Sequence, residues 1–409
     1  MSVFQNYDSS RKFTGGSLIT FNKGVNPSDQ KKILSKLAGS ASAIATTPIG
    51  MAASTQTHYD DLGLASLNSL NGVSYDGLSE NEVYEAASSA ADEFSEIAAI
   101  EPELWYFALN AYPSTPIADQ PNHTWGLEAT KAYSSHYDGT GINVAILDTG
   151  FDLGHSDFPT HHRNIVMQNF TSDSTALDIN GHGTHCTGTA VGNSLNNNGT
   201  IVRYGVAPSA NIRSAKVLNN GGSGQQRWII NGMKWAIDQG CEILSMSLGS
   251  RVWQGQGYSL QYERMAEYAL QKGSLVIAAA GNDSQRDNGY ISPVGSPANC
   301  PSIMAVAAID QNLKVAEFSN GDINQSPGSA IDIAAPGVNI FSSWPRPRNY
   351  RRISGTSMAC PHVAGVAALF AQKDNSFRGK KLWAEIVNNA IDMSPIPNSD
   401  VGAGLVQAP

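Results

Sequence analysis

Ile142-Asn143-Val144-Ala145-Ile146-Leu147-Asp148 is the stretch whose reading decides the fold. It is an almost unbroken apolar run of strand length that ends on a carboxylate, as expected of a strand buried on both faces. Ala215-Lys216-Val217-Leu218, Ile243-Leu244-Ser245-Met246-Ser247-Leu248 and Leu275-Val276-Ile277-Ala278-Ala279-Ala280 repeat the character. Helical stretches, residues 228–239 and 260–272, fall between them. Strands alternating with helices predict an α/β fold, a parallel β-sheet flanked by helices on both faces. In such sheets sites gather at the carboxyl ends of the strands. Asp148, Ser247-Leu248-Gly249 and Gly281-Asn282 all stand at those ends.

Outward from this sheet, 409 residues with 41% hydrophobic content are enough for a large core and two domains. The net charge of −9 argues against a nucleic-acid partner. No apolar run is long enough to span a bilayer, so no membrane partner is expected. The charge is uneven: residues 1–110 carry a balance of −7, leaving −2 for the rest. Cys186, Cys241, Cys300 and Cys360 fit neither a disulfide framework nor a Cys-x-x-Cys zinc pattern, and read as buried thiols. Met1 to Asp8 has neither a basic start nor an apolar core, so no signal peptide is read there. The compartment stays open: secreted if a signal has been removed, otherwise cytoplasmic.

Before the parallel sheet the pattern differs. Ser17 to Phe21 reads as a strand, and Asn26-Pro27-Ser28 starts a helix running to Leu37. Ser79-Glu80-Asn81-Glu82 is a capping box leading a second helix, and Ile97 to Phe107 reads as a strand and its exit. The order predicts a small α+β, ferredoxin-like domain over residues 1–110. Three prolines mark residues 111–122 as a linker, and 123–409 is the larger domain.

The chemistry lies in short segments. Asp148-Thr149-Gly150 follows its strand; Asn180-Gly181-His182-Gly183-Thr184-His185 sets a histidine between glycines. Ser354-Gly355-Thr356-Ser357-Met358-Ala359-Cys360-Pro361-His362 puts Ser357 where a loop of small residues enters an apolar helix. Alone, each has an ordinary reading: a turn-forming Asp, a core His, a helix-capping Ser. Together they supply an orienting carboxylate, a general base and a nucleophile, the kit for acyl transfer. The tetrahedral intermediate needs donors, and the Asn282 amide and the Ser357 backbone N–H supply them.

The order Asp148, His182, Ser357 and the motifs around them resemble a subtilisin-like serine protease (subtilase), over about residues 122–408. The resemblance implies a triad of Asp148, His182 and Ser357 with Asn282 in the oxyanion hole. It implies that Gly222-Ser223-Gly224 and Ser247-Leu248-Gly249 pair with an extended polypeptide substrate. Ala279, Gly281 and Gly295 would line a roomy, apolar primary pocket that takes large hydrophobic or aromatic residues before the cut bond. Ser296-Pro297 matches a cis-proline site.

A structural calcium ion is implied at Asp157, with Gln120 and Asn197 as further ligands. Here the loop from Asn193 to Tyr204 is longer than usual for the family and brings Arg203 with it. The N-terminal domain resembles a subtilase propeptide, a folding template and intramolecular inhibitor, with autocleavage expected at Leu109 or Asn110. A monomeric serine endopeptidase made as a zymogen is therefore expected. The alternatives are a dedicated peptide-processing protease or macrocyclase on the same fold, and a catalytically silent binding protein.

Overall fold

The computed structural model describes residues 12–38, 58–59, 61–68, 75, 78–109, 119–158, 164–197, 200–324 and 330–409. Asn110 and most of the linker lie outside the described residues.

The N-terminal region runs β1 (Phe13–Phe21), α1 (Pro27–Leu37), β2 (His58–Tyr59), β3 (Leu64–Leu67), α2 (Glu80–Asp92) and β4 (Ile97–Ala108). The helix starts are those read from the sequence. Asn26 accepts from the Asp29 amide ahead of Pro27, and Ser79 and Glu82 form the capping box. The strands pair antiparallel in the order β4-β1-β3-β2. Ile19, Phe21, Leu34, Leu37, Ala87 and Ile100 close a small core between sheet and helices.

The larger region runs α3 (Trp125–Ala129), β5 (Asn143–Asp148), β6 (Ile165–Asn169), α4 (His182–Val191), β7 (Ser194–Asn197), β8 (Thr200–Arg203), β9 (Asn211–Lys216), β10 (Ser223–Gln225) and α5 (Gln226–Asp238). It continues with β11 (Ile243–Met246), β12 (Leu248–Gly249), α6 (Leu260–Gln271), β13 (Leu275–Ala279), β14 (Met304–Ile309) and β15 (Ile333–Pro336). A hairpin of β16 (Ile340–Ser343) and β17 (Tyr350–Ile353) leads into α7 (Thr356–Lys373), then α8 (Lys380–Asn388) and α9 (Asn398–Val401). Seven strands form a parallel sheet in the order β15-β14-β13-β11-β5-β9-β6.

Alternate residues of these strands face opposite ways, which divides the core in two. Val144, Ile146, Ile243 and Ile277 pack with the residues of α4 and α7. Ala145, Leu147, Leu244 and Val276 pack with those of α5 and α6. From β5 the chain goes to the edge as β6, returns as β9 beside β5, then crosses to build β11, β13, β14 and β15 on the other side, so the carboxyl end of β5 is a switch point. The apolar run 243–248 does not continue as one strand: it divides into β11 and β12 around Ser247, whose carbonyl turns toward Ser357.

Candidate active site

Asp148 ends β5, and its carbonyl accepts from Val217 N at 2.9 Å and Leu218 N at 3.1 Å. His182 opens α4, so its ring is placed by how closely that helix approaches the loop after β5. Two glycines permit the approach. A Cβ on Gly183 would stand 2.3 Å from the Gly150 carbonyl oxygen. Gly181 has φ 106°, and a Cβ there would meet the Trp344 ring at 2.2 Å. His182 Nδ1 consequently donates to Asp148 Oδ1 at 2.8 Å, with Oδ2 at 3.0 Å.

Burial alone would lower the His182 pKa, but the Asp148 charge and hydrogen bond outweigh it and raise it above 6.5. His185 and His362 lack such a partner, and burial depresses them to about 3 and about 4. His185 Nε2 bonds the Ile340 carbonyl at 3.1 Å and His362 Nδ1 the Met358 carbonyl at 2.8 Å. Of His182, His185 and His362, it is His182 that faces a carboxylate.

A residue the sequence reading missed supports it. Asp178 accepts from the Gly181 and Thr184 amides at 2.8 Å each, and from the hydroxyls of Thr149 at 2.9 Å and Thr184 at 2.7 Å. This web ties the loop after β5 to the first turn of α4. Its only local signal was an Asp three residues ahead of the Gly-His-Gly segment.

Ser357 is the second residue of α7 and fully buried. Its Oγ lies 3.0 Å from the Ser247 carbonyl oxygen and 3.2 Å from that of Leu109. Its own carbonyl accepts from Ser247 Oγ at 2.8 Å. Cys186 Sγ sits 3.5 Å from that carbonyl and 3.8 Å from His182 Nδ1, which places the imidazole and the serine in one cluster. Burial holds the Cys186 thiol far above its usual range, so it is an inert packing group. His182 Nε2, the nitrogen away from Asp148, is buried and makes no hydrogen bond of ordinary geometry.

Asn282 follows β13. Its Oδ1 accepts from Thr356 N at 2.9 Å and Thr356 Oγ1 at 2.8 Å, which fixes the amide plane. Its Nδ2 faces the space before Gly355: a Cβ on that glycine would lie 3.1 Å from Nδ2 and 3.6 Å from the Leu109 oxygen.

The segments singled out as strand partners are already paired, with the end of β4. Ser223, Gly224 and Gln225 of β10 pair antiparallel with Phe107, Tyr106 and Trp105. Leu248 and Gly249 of β12 pair with Ala108 and Phe107 on the other edge. Ala108 N donates to the Gly222 carbonyl at 2.8 Å. The Leu109 side chain lies over Gly249, 3.4 Å from where a Cβ would be. Ala279 is buried, Gly281 has φ 115°, and Gly295 N donates to the Ala280 carbonyl at 2.8 Å. Ser296-Pro297 is cis.

At the expected calcium site the Asp157 carboxylate is engaged by side chains. Its oxygens accept from the Tyr204 hydroxyl at 2.8 Å and from that of Tyr350 at 2.9 and 3.0 Å. The Tyr204 and Tyr350 rings pack with Phe341 at centroid distances of 5.9 and 5.4 Å. Arg203 places its guanidinium against the carbonyls of Gly205 at 3.2 Å and Val206 at 2.6 Å. Calcium takes six to eight oxygens, and both oxygens of Asp157 are committed to phenols. Gln120 is exposed, and the Asn197 side chain lies outside the described ones. Asp157 is thus the acceptor at the centre of an aromatic cluster. Among the described residues, the metal-like grouping of acidic, His and Cys side chains is Asp148, His182 and Cys186, the site itself.

Residues 139–404 match the subtilase family, and the chain belongs to it. Subtilisin E of Bacillus subtilis (strain 168) is 40% identical over 247 residues, a match spanning 60% of each chain. Thermitase of Thermoactinomyces vulgaris is 39% identical over 258 residues, 63% of this chain and 84% of that protein. M-protease of Shouchella clausii (strain KSM-K16) is 35% identical over 317 residues, 76% of this chain and 74% of its own.

Proposed function

We propose that this chain is a serine endopeptidase held in a self-inhibited state by its own N-terminal unit. Ser357 Oγ attacks the carbonyl carbon of the bond to be cut while its proton passes to His182 Nε2. Asp148 holds the imidazole in the tautomer that leaves Nε2 as acceptor, and stabilises the imidazolium that forms. The oxyanion receives hydrogen bonds from Asn282 Nδ2 and Ser357 N–H, and α7 directs its positive end there. The imidazolium returns the proton to the leaving amine, leaving an acyl-enzyme that water attacks with His182 again as base. Names such as Subtilisin E, Thermitase and M-protease among the relatives support this class of reaction.

The observation that carries the reading is the Leu109 carbonyl oxygen, 3.2 Å from Ser357 Oγ at the end of a strand running between β10 and β12. A backbone seated this way is a substrate or product analogue covalently continuous with the domain it blocks. Residues 1–110 are then the inhibitor and folding template, 111–122 the linker, and Leu109–Asn110 the bond cut. Leu109 over Gly249 fits a preference for large apolar residues before the cut, with Ala279, Gly281 and Gly295 lining the pocket.

Docking is reinforced away from the cleft. Glu103, fully buried, accepts from Arg227 N at 3.0 Å and Nε at 2.7 Å, and pairs with Nη2. Glu101 faces the first turn of α6, 3.3 Å from the Leu260 and Gln261 amides. Incubating the purified chain and measuring its mass tests the reading. Fragments ending at Leu109 are expected from wild type and none from Ser357→Ala. Equal scission in both would sink it.

A further inference from the structure

Three residues upstream of Leu109, Tyr106 stands fourth before the proposed cut, and its seat is chemically specific. It pairs in register with Gly224, and its side chain is completely buried. Its ring meets Tyr262 edge-on at 5.4 Å with an interplanar angle of 73°, a favourable aromatic geometry. Its hydroxyl lies 2.8 Å from Ser296 Oγ, a group itself only 6% exposed. The Tyr262 hydroxyl, also buried, interacts with that of Tyr106. An apolar pocket would need neither polar group. Backbone bonds with Ser250, at 2.8 and 3.0 Å, fix the main chain of Ser296 at this edge of the pocket.

We propose that Ser296 and Tyr262 make this pocket selective for tyrosine at the fourth residue before the cut bond, with Ser296 Oγ distinguishing a phenol from a phenyl ring. The inference rests on the peptidase reading and deepens it. A phenylalanine would fill the same volume but leave the buried Ser296 hydroxyl unpaired, which is how a site built for a hydroxyl rejects an analogue lacking one. Tyr106 in the N-terminal unit occupies the same seat, so self-inhibition and substrate choice draw on one contact.

The test has two arms. In the first, self-processed enzyme is given two peptides identical except for Tyr or Phe at the fourth position before the cut. A kcat/KM ratio of about tenfold or more in favour of Tyr is expected, collapsing toward one in Ser296→Ala. A wild-type ratio near one, or a ratio that Ser296→Ala leaves intact, overturns the proposal.

The second arm needs no catalysis. In the full chain carrying Ser357→Ala, hydrogen exchange of the amides from Tyr106 to Ala108 is followed in Tyr106→Phe, Ser296→Ala and the double variant. Each single change is expected to speed exchange, and the double no further than the larger single. Additive effects overturn the contact. Should neither peptide be cut, the peptidase reading fails while this arm still decides the pocket.

Discussion

The two sheets of this molecule are held in opposite ways. The seven-stranded sheet is parallel and lies between two layers of core, so Val144, Leu147, Ile243 and Val276 are all fully buried. The antiparallel sheet of the N-terminal unit has its own small core, then borrows two short strands, β10 and β12, to complete the edges of β4. The first sheet is self-sufficient; the second leans on the first through β4, through Leu64, Leu104 and Tyr106 packed against α5 and α6, and through Gln261, which donates to the Ile19 and Ala65 carbonyls. On the reading proposed above, that asymmetry sets a rigid site beside a unit that can leave without unmaking the parallel sheet.

The largest expected effect breaks the rigid side. Ser357→Ala should abolish hydrolysis of any peptide, and Asn282→Ala should lower turnover about 100- to 1000-fold with little change in KM. That range is the one established for subtilisin itself. Turnover kinetics of the processed enzyme check the Asn282 effect and the unchanged mass of the Ser357→Ala chain checks the first; an Asn282→Ala enzyme near wild type would remove the amide from the oxyanion site.

The next attacks the plug. Glu103→Ala takes the carboxylate from the buried Arg227 guanidinium, leaving it the Asn68 amide oxygen, and breaking such a pair costs about 3–5 kcal/mol. The N-terminal fragment should then inhibit the processed enzyme far more weakly. An unchanged inhibition constant would show that β-pairing alone holds the plug.

Two pH effects sharpen the contrast. His182 acts as base only when neutral, and its pKa is raised above 6.5, so kcat/KM should fall as pH drops through a midpoint above that value. Asp148→Asn should lower both the rate and that midpoint. For Glu101, burial outweighs the amides of α6 and pushes the carboxyl up to about 7 from 4.5. A raised acid favours the docked state at low pH: its contribution is complete below 4.5 and lost as pH rises through 7. Release of the plug should quicken from pH 5 to 8, and Glu101→Gln should flatten that dependence.

The smallest expected effect is an absence of change. With Asp157 satisfied by Tyr204 and Tyr350, a chelator should leave Tm where it is, whereas Tyr350→Phe should lower it. A chelator-induced drop of several degrees would restore a metal to the rigid half.

Much of this was written locally. The apolar run into Asp148, the glycines on either side of His182 and the Gly355-Thr356-Ser357 entry to α7 each declare their element from neighbours in sequence. A strand buried on both faces must be apolar, and a helix start against a loop must be small. Helix starts at Asn26 and Ser79 were legible for the same reason, since a cap acts within three residues.

Other features depended on groups remote along the chain. Asp178 gives little local sign that it ties Thr149 to Thr184. Asp157 looks like a metal ligand until Tyr350, 193 positions away, brings its hydroxyl to it. Leu109 and Tyr106 read as the end of a strand; only folding sets them against Ser357, 248 residues on, and Ser296, 190 residues on. The sequence by itself determined which side chains carry the chemistry, because backbone geometry within a few residues demands particular residue types. Tertiary structure alone decided what each of them meets, because close packing and hydrogen bonding join surfaces that no short stretch of chain contains.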